Sequence, residues 1–202
     1  MLFILGALLA FHWYSFFLTI QLSGVAIGLF SFSSFPIFVV FLAPFVEKSA
    51  VNTHHLALIP AMLFGVWLMM STHKIGLYVI RGSAWGIASG FTFALMQLVS
   101  RVLVEEQNPI KIAAYQNSIA TLILLPMMRH VGLPETAQAI AALFFWGVIC
   151  TALAHTLFIA AMRHVSVATD SMFTDLEPLY GSAIAALFYV NYRLSEPWSE
   201  AQ

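Results

Sequence analysis

Long apolar runs alternate with short polar turns along the whole chain. A bilayer core ~30 Å thick needs ~20 mostly apolar residues at ~1.5 Å rise each. Seven segments meet that requirement, at about 1–20, 24–45, 56–71, 83–104, 109–128, 138–162 and 167–190. The third is the shortest and reaches span length by borrowing neutral residues around His54 and Thr72. The connections are too short for an extramembrane domain, so backbone groups in lipid must be satisfied within helices. Local signals mark several ends. Asn108-Pro109 supplies an N-cap and a first-turn proline for the fifth span, and Leu133-Pro134-Glu135-Thr136 acts likewise before the sixth.

Composition narrows the class. Of 202 residues, 61% are hydrophobic and 8% charged, against ~25% charged in a soluble domain. A soluble fold is excluded and an all-α polytopic membrane protein is expected. Fourteen of the charged residues lie between the segments or at their ends, leaving Asp170, Asp175 and Glu177 inside. Lys and Arg divide four and four between the two sides, so they set no orientation. The net charge of −1 points to neither nucleic acid nor acidic lipid as a partner. A single cysteine, Cys150, excludes an intrachain disulfide and reads as a small packing residue. Gly82, Gly86 and Gly90 form a ridge for close helix approach, and Gly24 with Gly28 a shorter one. Packing within the chain, rather than a dimer interface, is the expected use of both.

The chain also matches itself weakly. FHWYSFFLTIQLSGVAIGLFSFSSFPIFVVFLAPF near the start is echoed by AHTLFIAAMRHVSVATDSMFTDLEPLYGSAIAALF near the end. His12 pairs with His155 and Ser23 with Ser166 at an offset of 143, whereas Pro36 pairs with Pro178 at 142. The first and sixth spans are an odd number of crossings apart, so equivalent spans run in opposite directions. Inverted repeats of helices are the architecture of many secondary transporters, with the substrate site near the midplane. A repeat of five spans requires ten in all. Seven would correspond to spans three to nine, with 1–76 closing the first repeat and 77–202 forming most of the second.

Two stretches carry a family resemblance. SVATDSMFTDLEPLYGSAIAALF, with Glu-Pro in mid-helix after a short turn, resembles the ninth helix of the ten-helix, EamA-type branch of the drug/metabolite transporter superfamily. LSGVAIGLFSFSSFPIFVVFLAPFVEKS is similar to its fourth helix, closing with Glu47 where that family commonly has an acidic residue. The second repeat departs from the pattern, ending in VNYRLS without an acidic residue near Tyr192. By this resemblance the chain lacks the first two helices and the tenth. Met1 opening directly into apolar sequence, unlike a cleavable signal peptide, fits such an expectation. The resemblance implies a permease or exporter of small organic solutes such as amino acids, nucleobases or drug-like molecules. It would work by alternating access without a bound cofactor, in the inner (plasma) membrane of a bacterium. Proton coupling and the oligomeric state stay open.

Polar residues inside spans need a reason, since a mid-bilayer carboxylate costs ~2.5–3.5 kcal/mol on insertion scales. Asp170 lies in the first turn of the last span, at the positive end of the helix dipole, and reads as structural. Glu177, ten residues past the start, sits ~15 Å deep, and Asp175 lies ~200° around the helix from it. Pro178 frees the carbonyl of Thr174 and predicts a kink beside Glu177. Glu177 either donates to that carbonyl or, like Asp175, exchanges a proton as a cavity opens to alternate sides. His12 and His155 are packing residues or site residues, and their equivalence in the repeat favours neither. The fifth span offers Tyr115, Gln116 and Asn117 in one turn, and the fourth Gln97. Ser31, Ser33 and Ser34 are expected to bond their own helix. Trp13 and Tyr14 either line a pocket or anchor an interface. The expected substrate or proton pathway is therefore His12, Trp13, Gln97, Tyr115, Gln116, Asn117, His155, Asp175, Glu177 and Tyr180.

No metal spacing such as HxxxH or CxxC occurs. An intramembrane enzyme is the alternative from another class, but two carboxylates ~200° apart on one helix make no dyad. A retinal photoreceptor fails for want of a mid-span lysine. A gene fragment without activity of its own is the third reading.

Overall fold

The structure, a computed structural model, describes residues 1–48, 56, 57, 59, 60, 64, 76–130, 134–176 and 180. The elements are α1 (Leu2–Ser23), α2 (Val25–Phe32), α3 (Phe35–Glu47), α4 (Leu77–Glu106), α5 (Pro109–Leu124), α6 (Ala137–Phe145), α7 (Ala154–Ala161) and α8 (Val167–Thr174). A tight 3₁₀ turn, Leu125–His130, extends α5, and a π-helical stretch, Trp146–Leu153, joins α6 to α7. Among the described residues, four helical runs are long and apolar enough to cross a membrane: Leu2–Ser23, Val25–Glu47, Leu77–Glu106 and Ala137–Ala161. The chain is thus an all-α polytopic membrane protein. The expected spans at 56–71 and 167–190 lie largely outside the described residues, and the fifth is α for only 16 residues before it tightens.

The second span is broken. Pro36 has no N–H and its ring would clash with the carbonyl of Phe32, so α2 stops there and Ser33 and Ser34 make a turn. Shorter-range bonds bridge it, from Ser34 N to Ser31 O (3.3 Å) and from Ile37 N to Ser34 O (3.1 Å). The hydroxyls behave as expected of serines in apolar helices: Ser31 Oγ donates to Ile27 O (2.5 Å) and Ser34 Oγ to Ser31 O (2.7 Å). The fourth span begins at Leu77, six residues before the expected start, because Arg81 need not end a helix whose first turns can carry its guanidinium to the interface.

The glycine ridge lies inside the molecule. A Cβ on Gly82 would overlap Ser23, one on Gly86 would overlap Ser31, and one on Gly90 would stand 2.9 Å from Phe32 O. α4 therefore packs backbone-close against α1 and against the α2–α3 break. Gly24 differs from the expected ridge: at φ 87° with open space around it, it makes the turn between α1 and α2, a conformation that only glycine adopts at little cost. Gly28 alone serves close approach there, against Ile20.

Two apolar clusters hold the bundle. Leu5, Leu9, Met96, Ile112 and Ile159 join α1, α4, α5 and α7, while Phe35, Val39, Leu98 and Val167 join α3, α4 and α8. Polar ties gather at one end. Glu47 Oε1 accepts from Arg101 Nε (3.4 Å) and from the backbone N of Val167 (3.0 Å), fixing the start of α8. Arg163 donates to Val104 O (2.9 Å) and Gln107 O (2.8 Å), satisfying carbonyls left free at the end of α4. The expected caps are present: Asn108 accepts from Ile110 N (2.9 Å) and Thr136 from Ala139 N (3.2 Å).

These contacts fix direction. α1 ends with Ser23 beside Gly82 at the start of α4, whereas Arg163, just past α7, reaches the last turn of α4. α1 and α7 thus run in opposite directions. Ser23 and Ser166 differ in role, however: Ser23 Oγ donates back to Thr19 O (2.9 Å), while Ser166 caps α8 by accepting from Thr169 N (3.2 Å).

Candidate functional site

The helices line a partly open cavity of about 470 Å³. α1 contributes His12, Trp13 and Phe16; the α2–α3 break, Phe32 and Ser33; α4, Phe93 and Met96; α5, Gln116. Cys150 comes from the π-helical stretch, His155 and Phe158 from α7, and Asp175 from the residue that ends α8. The size lies within the ~300–1,000 Å³ usual for small-molecule sites.

Packing holds each histidine. His12 is 8% exposed, with its ring centroid 5.3 Å from that of Phe32 and 5.1 Å from that of Phe93. Its Nδ1 lies 3.2 Å from Ser89 O and 2.8 Å from Ser89 Oγ, and Ser89 Oγ donates to His12 O (3.1 Å). A carbonyl only accepts, so these partners place the proton on Nδ1 and leave Nε2 with its lone pair. His155 repeats the arrangement. Its Nδ1 is 3.1 Å from Asn117 Oδ1, and its ring stacks on Trp13 at 6.1 Å and 26°. With the Asn117 oxygen facing the ring, Nδ1 is again the donor and Nε2 the acceptor.

Gln116 is buried; its Nε2 donates to Met96 Sδ (3.3 Å), and its Oε1 has no partner among the described residues. Ser33 and Asp175 line the same cavity, and the Asp175 Oδ1 likewise lacks a partner among the described residues. Asp175 sits at the C-terminal boundary of α8, which ends at Thr174, four residues before Pro178.

Five of the expected pathway residues therefore share one wall: His12, Trp13, Gln116, His155 and Asp175. Asn117 stands behind it and orients His155. Gln97 is fully buried elsewhere on α4, and both its amide atoms lack partners among the described residues. Tyr115, 50% exposed, and Tyr180, 48% exposed, are not in the wall. Glu177 lies outside the described residues, as does the expected kink at Pro178.

Three wall or support residues were not singled out as site residues from the sequence. Ser89 could have been found as Gly86 plus three, on the close-packed face of α4. Ser33 could have been found as the repeat partner of Asp175, since each precedes a proline by three residues. Cys150 is exposed and lines the cavity rather than packing in a core; it lies in the π-helical stretch, where the Thr151 hydroxyl donates to Trp146 O (3.1 Å). Such stretches concentrate at functional sites.

Relatives share this sequence at low identity. An "uncharacterized transporter" of Archaeoglobus fulgidus is 25% identical over 176 residues, covering 87% of this chain and 62% of its own length. The "uncharacterized transporter YwfM" of Bacillus subtilis is 24% identical over 177 residues, covering 86% and 60%. The chain thus spans about three-fifths of the length of the curated relatives it matches. No solved structure matches it. The EamA-like transporter family matches residues 80–196, more than half of the sequence and most of the elements that build the cavity, and the chain belongs to that family.

Proposed function

We propose that this protein moves a small organic solute across a membrane by alternating access, as the whole or a large part of a transporter, and is not an intramembrane enzyme. One observation carries the reading: the polar wall of one cavity draws on both ends of the chain. His12, Trp13 and Ser33 come from 1–76, and Gln116, His155 and Asp175 from 77–202. A site at the meeting of two halves is where inverted-repeat transporters bind. The opposite courses of α1 and α7 support an inverted repeat, with seven spans of a ten-span plan in this chain.

In this reading His12, Trp13, Gln116, His155 and Asp175 touch the solute, and Asn117 positions His155. Gln97 supplies polar contact between helices that shift. Tyr115, Tyr180 and Glu177 belong to the pathway beyond the described wall. Asp175 or Glu177 carries a proton if transport is proton-coupled. The membrane is a bacterial inner membrane.

A screen of amino acids, nucleobases, amines and drug-like solutes by thermal stability of the purified protein, followed by flux of the hits into proteoliposomes, tests the proposal. A stabilising solute that also crosses the bilayer, and crosses slower after His155→Ala, is expected. Flux of every stabilising solute at the rate of protein-free liposomes would sink it.

A further inference from the structure

The geometry points to a solute of one class: an organic ammonium, carrying N–H donors on an aromatic or bulky apolar body. This inference rests on the cavity being the solute site. Among the described residues that line the cavity, Asp175 is the sole side chain with a formal charge, and Lys and Arg are absent. An anion would meet a carboxylate there and no cation to balance it.

The neutral polar groups favour a donor as well. The partners of both histidines leave Nε2 as an acceptor. Gln116 spends its amide N–H on Met96 and keeps Oε1 unpaired, and Asp175 keeps Oδ1 unpaired, among the described residues. The Thr174 hydroxyl is already committed to Asp170 O (3.0 Å). The Trp13 indole and the Ser33 and Ser100 hydroxyls are the donors left to weigh against these acceptors, among the described residues. Buried acceptors without partners call for a ligand that donates.

The rest of the wall is aromatic. Phe32, Phe35 and Phe93 form a mutual cluster with centroids 4.9–5.2 Å apart, and Phe158 lies 6.0 Å from Phe93. Ring faces attract cations and accept apolar bodies alike, whereas they offer an anion nothing.

Cys150, the one cysteine of the chain, lines this cavity and is exposed in it, so its alkylation reports occupancy without any transport assay. The full chain in lipid nanodiscs would be treated with N-ethylmaleimide in the presence of 2-phenylethylammonium, 2-phenylethanol or 3-phenylpropionate. At about ten times its dissociation constant, the ammonium should slow alkylation by about tenfold, while the alcohol and the acid leave the rate unchanged. Asp175→Asn should abolish that protection and Asp175→Glu retain it, each variant's rate with the probe being compared with its own rate without it. Equal protection by the alcohol or the acid would overturn the ammonium preference and leave the solute site standing. No protection by any probe at a reactive Cys150, or a Cys150 that does not react, would overturn both. The comparison of three probes on the unaltered chain decides the matter even if a variant does not fold.

Discussion

Ser33 and Asp175 hold the same place at the ends of two helices: each is the residue at which its helix ends, each stands three residues before a proline in the sequence, and both line one cavity. The offset of 142 that relates Pro36 to Pro178 relates these two residues also. The α2–α3 break and the end of α8 thus meet at one cavity.

Pro36→Ala should remove the covalent reason for the first break. Hydrogen exchange across residues 33–37 is expected to slow as α2 and α3 join, while flux of any identified solute falls by about tenfold. Slowed exchange with full flux would show that the break is dispensable.

Gly86→Ala puts a Cβ on Ser31, whose own Cβ would lie 2.6 Å away and whose hydroxyl is already committed to Ile27 O. Overpacking of this kind costs ~1–3 kcal/mol, read as lost stability in thermal unfolding. Gly76→Ala meets nothing within 4 Å and should stay within ~0.5 kcal/mol of the parent.

Ser89→Ala removes one of the two groups that hold the proton on His12 Nδ1. Stability should fall by ~1 kcal/mol. In nitrogen-15 spectra of labelled histidine, the parent should show one dominant tautomer for His12 and the variant a mixture. An unchanged spectrum would mean that the backbone carbonyl suffices.

Glu47 does two tasks at once, so Glu47→Ala should destabilise more than Arg101→Ala. Their side chains are 14% and 23% exposed, which puts the pair between a surface and a buried ion pair. A double-mutant cycle is expected to give a coupling of ~1 kcal/mol. Arg101 also pairs with the exposed Glu105 (3.1 Å), so the bond to Val167 N is read in an Arg101→Ala background, where Glu47→Ala should still cost ~1 kcal/mol and no further loss would deny it.

Much of this was legible before any coordinates. Hydrophobic run length placed helices of crossing length near 2–23, 25–47, 77–106 and 137–161 to within three residues at every end but the start of α4, which lies six residues earlier than expected, because a bilayer leaves the backbone little choice. Asn108 and Thr136 marked helix starts for the local reason that short polar side chains reach free N–H groups. His12 and His155, paired only by a faint repeat, prove to line one cavity with matching proton placement. Facing was less legible. Tyr115 and Gln116 are adjacent in sequence yet one is half-exposed and the other buried, since consecutive residues on a helix point ~100° apart and no amphipathic stripe exists in an apolar span. Arg81 was misread as a boundary for a related reason: charge ends an apolar run on paper but not a helix in fact. Gly24 and Gly28 share a spacing with the ridge on α4, and spacing could not tell a turn glycine from a packing one.

The length of α4 has a further consequence. Thirty residues make a rod ~45 Å long, about half as long again as a ~30 Å hydrocarbon layer. Arg81 and Arg101 stand twenty residues apart on it, a separation of ~30 Å, so the two guanidiniums bracket the acyl chains and the surplus turns project into the headgroups. A thicker membrane would draw one of them toward oil, and a thinner one would tilt the rod. Because α1, the α2–α3 break and α8 are all fastened to α4, its tilt would be felt at the cavity, which makes lipid thickness a variable that the cavity's shape must answer to.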